Sequence, residues 1–300
     1  MNPLNILLPT FALVVLGHLL RRHAGFSAGF WSDLEWLIYY VLFPALLFGA
    51  LARRPLELQS AAGMIYTGVI FMTAGMLLGY LGRYLLRLTE TEFASSFQCA
   101  FRFNTYIGFA ILGGLYGAEG VAVFAILAGF MVPLANLGAV WALARHGNQG
   151  LLRELARNPL VLSTFAGLAW SVSGWPLPEM ADTTLRFLGE AALPLGLIAV
   201  GAGLRLAGLG SRLPAVTYLS IVKLLLVPAI ALATATLFGL SGPYLASALI
   251  LAALPTASSA YILAVRMGGD GQIVAAIIAT STLAAAVTLP FWIYMGQLGT

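Results

Sequence analysis

The chain has 300 residues, 60% of them hydrophobic and only 9% charged, with a mean hydropathy of +0.94. A water-soluble domain of this size is roughly a quarter charged, so this composition excludes a soluble globular protein and makes lipid the solvent. The net charge of +4 is no argument for nucleic acid, because basic residues are what orient a chain in a bilayer.

A helix needs about 20 apolar residues to cross a bilayer. Taken in chain order, such spans are expected at 4–20, 33–52, 61–86, 93–116 and 120–144, then at 158–174, 183–204, 213–239, 243–266 and 271–296. The first has no positive charge before it, and Arg21 and Arg22 follow it, so it reads as a retained span rather than a cleaved signal. The third carries Gly75 and Gly79 at helix-packing spacing, which suits either internal packing or a homodimer contact. The only cysteine, Cys99, lies in an apolar run and is expected to be a small buried hydrophobe. His18, His23 and His146 form no close-spaced pair, and neither a metal nor a cofactor is expected.

The second five spans echo the first at an offset of about 150 residues. Pro9 is matched by Pro159, and Phe43-Pro44 by Leu193-Pro194. Glu119-Gly120 is matched by Asp270-Gly271, where the acidic side chain is expected to cap the helix that follows. An odd number of spans per repeat inverts the second copy. The expected fold is therefore an all-α polytopic membrane protein of ten helices, built as two inverted five-helix repeats. Residues 1–147 form the first repeat, 148–157 the linker and 158–300 the second repeat.

Basic residues orient the chain. Arg21, Arg22, Arg83, Arg87, Arg145, Arg153, Arg157, Arg205, Arg212 and Arg266 fall in one set of loops, against Arg53, Arg54 and Arg186 in the other. The richer set is assigned to the cytoplasm of a multi-pass cell-membrane protein, which places loop 145–157 inside and both termini outside.

Polar groups inside a membrane are costly unless they face a cavity or a partner. The fourth span carries Arg102, Asn104, Thr105 and Gly108; at the matching place the ninth carries Pro255, Thr256, Ser258 and Ser259. Proline removes a backbone donor, so the ninth helix is expected to break there. The half-helix after the break offers free N–H groups to an anion. Asn104 opposite Pro255 is read as a binding site; Ser258 and Ser259 are read equally well as packing residues. Arg102 reads as a carboxylate partner released by local unwinding, as a residue lining the entrance, or as a side chain snorkelling to the interface. Lys223, the only lysine, reads as a counter-charge or again as a snorkelling side chain, and Glu190 as a proton carrier if buried or as half of an ion pair.

Asn104-Thr105 with Gly108, Leu115-Tyr116-Gly117, Asn158-Pro159, Leu193-Pro194-Leu195 and Ala253-Leu254-Pro255 stand in an order and spacing that resemble the auxin efflux carrier family. That family includes the plant PIN carriers and bacterial dicarboxylate permeases. The resemblance covers essentially the whole chain. It implies crossed, broken fourth and ninth helices holding an anion at the crossing. It also implies a scaffold of spans one, two, six and seven, against which the other six move as an elevator. Plant members carry proline just before the crossover asparagine, where this chain has Phe103; that bears on how sharply the fourth helix breaks and how far the ligand resembles auxin.

The expected function is secondary transport of a small organic anion, auxin-like or a dicarboxylate, by alternating access and in the outward direction. The partners are that anion and the bilayer. Two alternatives stand beside it: a sodium- or proton-coupled symporter resembling the bile-acid carriers, and a non-transporting sensor with a carrier fold. An enzyme is not expected, because HExxH, Gly-x-Ser-x-Gly and paired intramembrane acids are all missing from the sequence.

Overall fold

The computed structural model describes residues 3–53, 58–143, 159–204 and 212–298, and these are helical with no strand among them. The first half runs through α1 (Pro3–His23), α2 (Ala28–Leu37), a π-turn (Ile38–Leu42) leading into α3 (Phe43–Ala52), α4 (Leu58–Leu85), α5 (Glu90–Ser96) and α6 (Thr105–Leu143). The second half runs through α7 (Pro159–Ser173), α8 (Glu179–Gly203), α9 (Leu213–Ile221), a second π-turn (Val222–Leu226) leading into α10 (Val227–Leu237), α11 (Gly242–Ala253), α12 (Ser259–Arg266) and α13 (Gly271–Leu298). The expected linker 148–157, together with Arg54, Arg145, His146, Arg153, Arg157, Asn158 and Arg205, lies outside the described residues.

Among the described residues, six helical stretches are long and apolar enough to cross a membrane: Ala28–Ala52, Ala61–Leu85, Glu90–Leu143, Glu179–Gly203, Leu213–Leu237 and Gly271–Gln297. Pro159–Ser173 and Gly242–Ala253 are shorter apolar helices.

Several irregularities in these helices trace to proline. Each π-turn ends just before an apolar residue and a proline, Phe43-Pro44 in one case and Val227-Pro228 in the other. There the N–H of Phe43 reaches back to Ile38, and that of Val227 to Val222. Proline has no N–H for the carbonyl four residues earlier. For Pro228 that carbonyl belongs to Leu224, and the indole Nε1 of Trp292 on α13 donates to it instead at 2.7 Å.

The joint Leu115-Tyr116-Gly117 narrows to a single non-helical residue. Gly117 has φ 60°, open to glycine at little cost, and the chain folds back there. The return is tight enough that a Cβ on Gly120 would strike the carbonyl of Leu112.

The helices pack into two groups. In one, α1 lies along α8, and α3 lies along α7 and α8. Small residues permit these approaches: a Cβ on Gly17 would run into the Ile198 backbone, and one on Gly201 into the Val14 backbone. An ion pair between Arg53 Nε and Asp182 Oδ1 at 2.6 Å ties the end of α3 to the start of α8. In the other group, α4, α6, α10, α11 and α13 surround one another. The two groups meet where α6 touches α1, α3, α7 and α8, and where α1 touches α13.

Gly75 and Gly79 resolve to internal packing. They face Ala100, Phe101 and Phe97 of the following segment, with Val227 beside Gly75, so this motif presents no dimer contact. Asp270 caps α13 as its position predicts, its Oδ1 accepting from the N–H groups of Gln272 and Ile273. Its second oxygen pairs with Arg212, which also approaches Glu92 of α5 at 3.6 Å.

Candidate functional site

Two interruptions define the centre of the second group. The first comes after α5, which starts in a capping box of Thr89 and Glu92, tightens into a 3-10 turn at Phe97–Ala100 and leaves the helix at Phe101. Helix resumes at Thr105. The second comes after α11. Leu254 has ψ 144°, the extended conformation that a following proline imposes, and helix resumes at Ser259.

The interruptions satisfy each other. The backbone N–H of Asn104 donates to the carbonyl of Pro255 at 2.9 Å. The hydroxyl of Thr256 returns a bond to the carbonyl of Cys99 at 3.0 Å, and the Gln98 amide reaches the carbonyl of Ala260 at 3.1 Å. The N–H of Thr256 goes to Ser281 Oγ on α13 at 3.3 Å. These are the backbone groups that a broken helix must place somewhere when lipid surrounds it.

Asn104 is buried, and its Oδ1 accepts from the N–H groups of Tyr106 and Ile107 at 3.1 and 3.5 Å. The side chain is therefore the N-cap of α6. Among the described residues, no protein group takes the hydrogens of its Nδ2.

Arg102 lies in the unwound stretch and does not snorkel: the residue is only 8% exposed. Its Nη1 donates to Ser259 Oγ at 2.9 Å and its Nη2 to Asn136 Oδ1 at 2.6 Å. Arg102 thus bridges the start of α12 to the returning half of α6. Asn136 is a site residue that the sequence reading missed, since nothing in its local context distinguishes it from a packing amide.

Ser258 Oγ is buried with no hydrogen-bond partner among the described residues, next to the start of α12. That helix has no side-chain cap, and its first turn is closed only by the N–H groups of Ala260 and Tyr261 bonding Ala257 and Ser258. Thr105 is half-buried and lines a narrow, largely apolar cleft with Leu47, Phe109, Val132, Leu160 and Thr164, where α3, α6 and α7 meet. Tyr106 beside it packs against Phe43 of α3, the rings tilted by 37° with centroids 4.6 Å apart.

Three expected site residues stand apart from this cluster or serve it differently. Gly108 is a packing residue: a Cβ there would meet the Phe124 ring and, at 2.9 Å, Leu254. Lys223 is 1% exposed rather than snorkelling, and it reaches the carbonyl of Ala252. Glu190 sits on the exposed face of α8 with Phe187 and Pro194, away from the cluster.

The resulting field is positive. Two helix starts, at Thr105 and Ser259, open into the interruptions beside the Arg102 guanidinium, and none of the described side chains meeting there is acidic. Helix N-termini carry partial positive charge and free N–H groups, so the arrangement suits an anion. Among the described residues, no three His, Cys, Asp or Glu side chains gather as metal ligands.

A family model described as membrane transport protein matches residues 143–293. A Rhizobium meliloti protein named "Putative malonate transporter" is 29% identical over 98% of this chain and 96% of its own length. An uncharacterized transporter of Methanothermobacter thermautotrophicus is 25% identical over 97% and 98% of the two chains. Rice auxin efflux carrier component 2 is 26% identical over 48% of this chain and 24% of its own.

Proposed function

The chain belongs to the membrane transport protein family, that of the auxin efflux carriers, and from this premise we propose that it is a secondary carrier of a small organic anion, most simply a dicarboxylate. The observation that carries the proposal is the mutual lacing of two helix interruptions through Asn104 and Pro255, with two half-helix starts and Arg102 around it. Inward-aimed interruptions of this kind are where carriers bind substrate. The anion is held by the Nδ2 of Asn104, the open hydroxyl of Ser258 and the N–H of Ser259, the one N–H in the first turn of α12 that no backbone carbonyl takes. Thr105, Thr256, Ser259 and the Arg102 bridge fix their positions, and the Thr105 cleft accepts the apolar part of the ligand.

Interruptions at equivalent places in the two halves support a ten-crossing fold of two inverted repeats. The division of the helices into two groups supports an elevator, with α1, α2–α3, α7 and α8 as the static body. The cleft at Thr105 then lies on the moving boundary, where alternating access needs it. With the Arg-rich loops in the cytoplasm, an inside-negative potential drives an uncoupled anion outward by about 2.3 kcal/mol per charge for each 100 mV. Efflux is the natural direction. The relative named as a malonate transporter supports the dicarboxylate class.

Flux of labelled malonate and succinate in proteoliposomes tests this, with the potential, the pH gradient and the Na⁺ gradient imposed one at a time. Movement that tracks the potential alone is expected. Strict dependence on a proton or Na⁺ gradient would overturn uncoupled efflux, and absence of flux for every carboxylate tried would overturn the anion assignment.

A further inference from the structure

The end of α11 presents carbonyls that its own helix cannot use. Pro255 has no N–H for Leu251, and the N–H of Thr256, due to Ala252, is turned to Ser281. These carbonyls form the negative end of a half-helix in the membrane interior. In carriers with interrupted helices, such ends and the unwound backbone beside them are where a coupling Na⁺ is coordinated. Here the place is taken. Lys223 projects from the π-turn between α9 and α10, is 1% exposed, and donates from Nζ to the carbonyl of Ala252 at 2.5 Å. That carbonyl is its one acceptor among the described residues, and no carboxylate among them pairs with it.

We propose that Lys223 is a built-in cation: its ammonium occupies the position of a coupling ion at the end of α11 and holds the interrupted segment in its binding shape without dissolved Na⁺. Lys223 is thereby a positioning residue for the anion site, acting through the backbone of residues 252–256. The π-turn has a reason in this scheme. It rotates one residue out of the α-helical register, in a stretch that packs on α11, α13 and the 3-10 turn at Phe97–Ala100. The inference rests on the proposed anion site, but its first readout does not require transport.

The full-length protein, purified in detergent, is unfolded thermally in propylammonium, sodium or choline chloride at equal ionic strength. Lys223→Ala, Lys223→Met and Lys223→Arg are compared with the wild type. Lys223→Ala is expected to unfold at lower temperature and to recover in propylammonium or sodium but not in choline. Lys223→Met, whose apolar chain fills the space, is expected not to recover in any salt. In proteoliposomes, Lys223→Met should lose about tenfold or more in flux, the scale of one buried charged hydrogen bond, with Lys223→Arg retaining more. Wild-type unfolding and flux in Lys223→Met would overturn the proposal, as would an equal response of Lys223→Ala to all three salts. Where Lys223→Ala yields no folded protein, equal flux loss in the Met and Arg variants overturns it, and better retention by Arg supports it. If the salt responses appear while Asn104 variants transport normally, the anion site fails and the built-in cation stands.

Discussion

The backbone N–H of Asn104 donates to the carbonyl of Pro255 at 2.9 Å, although the two residues lie on different halves of the chain. In an unbroken helix that N–H would return to Ala100. The interruption that Pro255 forces between α11 and α12 is therefore matched by one between α5 and α6, where the chain has Phe103 and no proline. The Asn104 side chain completes the break by starting the next helix, so one residue both ties the interruption to Pro255 and caps α6.

This double role separates two variants. Asn104→Ala loses the cap and should cost about 1 kcal/mol of stability as well as transport. Asn104→Asp keeps a capping oxygen but replaces the Nδ2 donor with negative charge at the proposed anion site. It should unfold near the wild-type temperature while its flux falls by about a hundredfold, the scale of a like charge buried at a binding site. Normal flux through a folded Asn104→Asp protein would remove Asn104 from the site.

Arg102→Lys tests the bridge. A single ammonium cannot span Ser259 and Asn136 as the two guanidinium nitrogens do. Flux should fall, and Asn136→Ala should fall with it. The double variant should be no worse than Arg102→Lys alone, since both remove the same link. Additive losses would mean that the two residues act separately.

Gly201→Ala places a Cβ against the backbone of Val14, which cannot swing aside as a side chain can. The variant should fold only with α1 and α8 pushed apart, at a cost of about 1–3 kcal/mol or more. Gly29→Ala, where only the Ser27 side chain lies near at 3.6 Å, is the control and should be close to neutral. Thermal unfolding of the two side by side decides the matter.

Trp292→Phe removes the donor that serves the Leu224 carbonyl. A buried carbonyl left alone costs about 1–3 kcal/mol. Pro228→Ala restores the backbone N–H four residues on, so the double variant should be more stable than Trp292→Phe alone. Simple additivity in unfolding measurements would show that the indole bond does not compensate for the proline.

Composition, and residues whose chemistry acts locally, were legible without any coordinates. Apolar runs placed the helices, because a span reports its own hydrophobicity. Pro255 announced a break, because a missing N–H needs no partner to take effect. Asp270 announced a cap for the same reason, since its oxygens reach only the next turn. Tertiary packing settled every feature that depended on a second element. Whether Gly75 and Gly79 faced another molecule or this one could not be read from their spacing, because both uses ask only for small residues. The break between α5 and α6 needed the Pro255 carbonyl, and Arg102 needed Asn136 from the far half of α6. Glu190 and Lys223 lie at similar depth in their apolar runs, yet one is exposed on α8 and the other sealed against α11. Burial belongs to the packing of helices against one another, and no single helix carries that information.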